Sequence, residues 1–167
     1  MRNKNEPRQI LHPIPPVYDA DSEVLILGSF PSVKSREQGF FYGHPQNRFW
    51  KVTAAVFGEE VPQTVEEKKA FLLRNHVALW DVIGSCEITG SSDSSIRNVT
   101  VNDLSPILGT AGIRRIFCNG SKAFELYGKY QREKLGIEAV RLPSTSPANA
   151  SVNAAQLAAA WAVIREG

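Results

Sequence analysis

Residues 23–29 read EVLILGS: four branched apolar side chains in a row, closed by a glycine and a serine. The run is too short for a helix and does not alternate with polar residues, which suits a strand buried on both faces. The same design recurs in HVALWDVIGS (76–85), IRRIFCNGS (113–121) and IEAVRLPS (137–144). Helical patterns are read between these runs at 47–57, 64–74, 102–108, 121–135 and 152–165. Strands alternating with helices predict a three-layer α/β/α fold around a central four-stranded, mainly parallel sheet.

A chain of 167 residues with 43% hydrophobic side chains is the size of one domain with a full core. The expected organisation is an extended N-terminal segment over residues 1–16, where HPIPP (12–16) disfavours helix, followed by a single domain over 17–167. Formal net charge is +2, too small by itself to announce a polyanion partner. Four of the acids, however, sit together in EEVPQTVEEKK (59–69), which leaves room for a basic face elsewhere. Cys86 and Cys118 have no CxxC neighbour, so a reducing compartment is the simple reading. Without a secretory signal or a membrane-length apolar run, a cytoplasmic monomer with no membrane association is expected.

In a parallel sheet, ligands bind beyond the carboxyl ends of the strands. Those ends here lead into GSFPS, WDVIGSC, CNGSK and LPSTSPANA, all rich in the residues that make turns and offer hydrogen bonds. No GxGxxG, GxxxxGK[ST] or GxSxG pattern is present, so dinucleotide, P-loop and nucleophile-elbow chemistry lack their usual sequence support. His12, His44 and His76 are widely separated, and no metal or other cofactor is expected. What remains is a site of amides, hydroxyls, backbone N–H groups and aromatic rings, suited to a planar, polar, uncharged group. The long stretch GSCEITGSSDSSIRNVTVND (84–103) reads as a polar surface or substrate-binding loop. Asp81 and Asp93 are acid–base helpers on offer, though neither carries the reading.

VLILGSFPS (24–32), YGHPQNRFWKV (42–52), IFCNG (116–120) and LPSTSPANA (142–150), in that order, resemble the uracil-DNA glycosylase superfamily, and most of all its hypoxanthine-DNA glycosylase branch. The resemblance implies a monofunctional glycosylase that flips a deaminated base out of DNA and hydrolyses its N-glycosidic bond. It places Tyr42 where the base is stacked and Asn47 where water is oriented for attack on an oxocarbenium-like sugar. Asn47 is equally suited to cap the helix that follows. Asn119 takes the base-reading position, since one amide can donate to a carbonyl and accept from the neighbouring ring N–H. Gly28, Ser29, Phe30 and Ser32 complete the base pocket. Ser144, Thr145, Ser146, Pro147 and Asn149 form the DNA-gripping segment, and Arg48 is either solvated or on a phosphate.

Three departures from the family pattern matter. Phe30 stands where many members carry a catalytic Asp or Asn, and Ser146 where a leucine wedge is usual. Small Ser32 replaces a bulky tyrosine, widening the mouth for a purine. Hypoxanthine is therefore the first substrate, with uracil or xanthine next. The competing readings are a mismatch-specific uracil/thymine glycosylase and a noncatalytic nucleotide or nucleic-acid binding module on the same fold.

Overall fold

The computed structural model describes residues 6–89 and 95–166. In chain order its elements are β1 (Arg8–Leu11), β2 (Val24–Gly28), α1 (Val33–Gln38), α2 (Phe49–Phe57), α3 (Val65–Arg74), β3 (Val77–Asp81) and β4 (Ile83–Ile88). There follow β5 (Arg97–Val101), α4 (Ser105–Thr110), β6 (Arg115–Asn119), α5 (Ser121–Tyr130), α6 (Arg132–Leu135), β7 (Ala139–Leu142), α7 (Ala154–Trp161) and a closing 3-10 turn, Ala162–Arg165.

Every residue of β2 is buried, as its unbroken apolar run requires, and it pairs in parallel with β3 on one side and β6 on the other. With β7 outside β6 the order is β3-β2-β6-β7, a four-stranded parallel sheet. Val24 and Ile26 pack with Trp50 of α2, Phe71 of α3 and Trp161 of α7 on one face. Leu25 and Leu27 point the other way, into a core with Ile107 of α4 and with Ala123 and Leu126 of α5. The α/β/α expectation holds.

A second sheet, antiparallel and ordered β1-β4-β5, was not expected. HVALWDVIGS is two strands in different sheets, broken at buried Val82, whose N–H donates to the Gly28 carbonyl. Asn102 brackets the break, donating through Nδ2 to the carbonyls of Asp81 (2.9 Å) and Ile83 (3.1 Å). Part of the expected loop at 84–103 is thus sheet, formed by β4 and β5, and its Asp93 lies outside the described residues. Helix α1 was also unforeseen, a single short turn capped by Ser32, whose Oγ accepts the Ser35 N–H.

Candidate active site

All four parallel strands end at one edge, and a pocket of about 210 Å³ opens there. From the β2 loop it takes Gly28, Ser29, Phe30, Pro31 and Ser32, and from the segment before α2 it takes Phe41, Tyr42, His44 and Asn47. Asp81 ends β3, Asn119 ends β6, and Ser144, Thr145, Ser146 and Pro147 close the rim after β7. Residues from four separate sequence motifs therefore surround one cavity.

The aromatic wall is built under backbone strain. Tyr42 sits at φ 53°, a left-handed conformation rare for a bulky residue, and strain of this kind concentrates at functional sites. Its ring stacks on Phe49 with centroids 4.2 Å apart and planes 20° apart. The next residue is tied down by a hydrogen bond from the Gly43 N–H to Ser35 Oγ at 3.0 Å. Tyr42 Oη is buried without a hydrogen-bond partner; Asn119 and Asp81 lie beside it. Burial, reinforced by the negative charge of Asp81, raises the Tyr42 pKa far above the ordinary tyrosine range, so the phenol is a neutral donor. Gly28 makes this crowding feasible: a Cβ there would lie 2.4 Å from Asp81 Oδ1 and 2.9 Å from Tyr42 Oη.

The two amides are joined by one hydroxyl. The Thr145 N–H donates to Asn119 Oδ1 at 3.0 Å, and Asn119 Nδ2 donates to Thr145 Oγ1, also at 3.0 Å. Thr145 Oγ1 then donates to Asn47 Oδ1 at 2.9 Å, an oxygen that also accepts the Phe49 N–H at 2.9 Å. Because backbone N–H groups can only donate, they fix which end of each amide is oxygen. Both acceptor positions of Asn47 Oδ1 are filled, and its Nδ2 has no hydrogen bond among the described residues. Asn47 thus combines a hydrogen bond from the first N–H of α2 with a donor left open at the pocket.

Three sequence assignments look different in the fold. Thr145 is wholly buried, and its hydroxyl bonds to the two pocket amides. Arg48 is turned inward, its guanidinium donating to the carbonyls of Ser146 (3.1 Å), Asn149 (3.0 Å) and Val152. It clamps the segment before α7 through these three carbonyls. Asn149 lies outside the base pocket but lines the groove beside it, its side chain donating to the Ser144 carbonyl at 3.0 Å, while Asn153 caps α7.

Sequence reasoning passed over His12, His44 and the pocket position of Asp81. His12 Nε2 donates to Asp81 Oδ2 at 2.8 Å, across 69 residues, with both side chains almost fully enclosed. No local spacing could have shown that pair. His44 Nδ1 accepts the Gln46 N–H at 3.1 Å, which leaves Nε2 as its donor. Among the described residues no cluster of His, Cys, Asp and Glu could hold a metal ion, and no helix is long and apolar enough to cross a membrane.

A parallel sheet whose carboxyl edge carries an aromatic wall and two oriented amides defines a receptor for one flat, polar ring. The chain belongs to the uracil DNA glycosylase superfamily, whose family model matches residues 15–165. It is similar to two proteins named hypoxanthine DNA glycosylase, from Methanosarcina acetivorans (38% identical) and Methanosarcina barkeri (33% identical). Each match spans 81% of this chain and 85% of the relative. The solution NMR structure of a candidate uracil DNA glycosylase from Methanosarcina acetivorans superposes with a TM-score of 0.78 at 36% identity. That match covers 91% of this chain and 94% of the other.

Proposed function

We propose that the chain is a monofunctional DNA glycosylase hydrolysing the N-glycosidic bond of deaminated bases in DNA, hypoxanthine first. The observation that carries this is the convergence, in one small pocket, of an aromatic wall and two amides whose polarity is set by backbone N–H groups. The family and the names of the two Methanosarcina relatives support the same reaction.

In this reading the flipped base lies against the Tyr42 ring, which Phe49 supports from behind. As the bond breaks, the sugar takes on oxocarbenium character and water attacks it. Asn47 holds that water through Nδ2, donating to the water's oxygen, because its own oxygen is already engaged. An attack on a cation-like centre asks for positioning more than for a strong base. The adjoining groove shares Ser29, Ser144 and Ser146 with the pocket and carries exposed Lys122 and Arg141, a path for the phosphate backbone.

The test is single-turnover formation of abasic sites in duplexes carrying deoxyinosine, deoxyuridine or deoxyxanthosine. Excision is expected, fastest at deoxyinosine, and Asn47→Ala should slow it by about 10²–10³, the scale of one preorganised polar contact. Tight binding to these duplexes without any abasic product would instead establish the noncatalytic module. A folded Asn47→Ala protein with wild-type turnover would remove that side chain from the mechanism.

A further inference from the structure

The reading of the pocket as a base site leaves one buried group without a task. Asp81 is 3% exposed, lines the cavity, and has Oδ1 free of any hydrogen bond among the described residues. Its orientation is fixed from behind. The Ile14 N–H donates to His12 Nδ1 at 3.2 Å, so that nitrogen is an acceptor and the ring proton sits on Nε2. From there it is donated to Asp81 Oδ2 at 2.8 Å. The main chain of Asp81 is held too, through its carbonyl and Asn102 Nδ2. The register places Asp81 beside Gly28, and the missing Cβ lets Oδ1 lean into the cavity.

An ionised carboxylate offers acceptors only. Thr145 holds Asn119 in one orientation. Its amide carries a donor and an acceptor, but both atoms are already committed once to Thr145, leaving one N–H and one lone pair. Hydrolytic deamination of adenine or cytosine converts an amino group into a carbonyl and puts a proton on the neighbouring ring nitrogen. The undamaged bases present the reverse pattern, an amino donor beside a bare ring nitrogen. A carboxylate facing the ring nitrogen accepts only where deamination has put a proton there, and no rotation of its own can offer a donor instead.

We propose that Asp81 is the residue that excludes adenine and cytosine from this pocket in favour of their deaminated products: its Oδ1, oriented by His12, accepts the ring N–H created by deamination, while Asn119 Nδ2 donates to the adjacent carbonyl. Adenine and cytosine are rejected because their ring lone pair meets the carboxylate with no proton between them, leaving both groups desolvated and unpaired. Guanine and thymine already carry a ring N–H and lie outside what this device excludes.

The inference rests on the glycosylase reading and is tested beside it. In Asp81→Asn the amide oxygen must face the His12 proton, so the new NH2 faces the cavity and offers a donor to a bare ring nitrogen. Single-turnover excision is measured on duplexes with deoxyinosine and with deoxynebularine, a purine whose N1 carries no proton. Asp81→Asn should lose at least tenfold on deoxyinosine, and the inosine-to-nebularine rate ratio should fall by at least tenfold. Equal losses on both substrates in a folded variant overturn the proposal while leaving the glycosylase reading intact. Should the variant not fold, wild-type rates on deoxyinosine and on its N1-methyl derivative decide the matter. A loss of tenfold or more on methylation supports the N–H contact, and equal rates overturn it. Wild-type protein inactive on every deaminated base overturns the glycosylase reading and this inference with it.

Discussion

Two backbone N–H groups, at Thr145 and Phe49, direct every hydrogen bond along the wall from Asn119 to Asn47. The hydroxyl between them has one proton and must accept from Asn119 while donating to Asn47. Removing it disturbs both amides at once. Thr145→Val keeps the shape but leaves the Asn119 N–H unpaired in a buried place, which costs about 1–3 kcal/mol of stability. Excision should fall further than stability explains, since neither amide stays oriented, and Thr145→Ser should restore both. Denaturant melts together with single-turnover rates measure this. A Thr145→Val protein matching wild type in both would show that the amides are held by their backbone partners alone. None of this was legible in LPSTSPANA, where Thr145 reads as one hydroxyl among several facing DNA. Its burial follows from Arg48, which lies far away in the chain and folds the segment inward.

At the scale of elements, the parallel strands were readable because burial on both faces demands unbroken apolar runs, and β2 shows that most plainly. The same continuity hid the passage from β3 to β4. Val82 and Ile83, both fully buried, resume the apolar run after a single polar residue, Asp81, so hydropathy registers only a one-residue interruption where the chain leaves one sheet for the other. The bend is set instead by tertiary hydrogen bonds, from Val82 and Ile83 to the end of β2 and from Asn102 across the corner. Asn102→Ala should therefore destabilise the fold by about 1–3 kcal/mol, two carbonyls losing their partner. It should also slow excision, because Asp81 is one of the residues so anchored. A variant with unchanged denaturant midpoint would mean that the bend stands on the β2 bonds alone. Helix α1 escaped notice for a different reason: a single turn buries only Ser35 and leaves no periodic apolar stripe to read.

Over the whole molecule, basic side chains stand at both edges of the parallel sheet, Arg74, Arg114 and Arg165 at the amino edge and Lys122 and Arg141 at the carboxyl edge. Glu59 binds Arg74 and Asn75 beside the start of β3, at the amino edge, whereas the pocket and the groove bearing Lys122 and Arg141 lie at the carboxyl edge. The two groove cations and Arg48 should respond differently to salt. Each cation neutralising a phosphate releases counterions, adding about one to the slope of log affinity against log salt. Lys122→Ala and Arg141→Ala should each weaken binding to any sequence and lower that slope by about one. Arg48→Ala should leave the slope unchanged, since its guanidinium is spent on three carbonyls, yet lower stability and excision by loosening the segment that carries Thr145. Titrations of a 2′-fluorinated deoxyinosine duplex, which resists glycosidic cleavage, at several salt concentrations separate these cases. A reduced slope for Arg48→Ala would return that residue to the phosphates. Unchanged slopes for both groove variants would move the DNA path to another face.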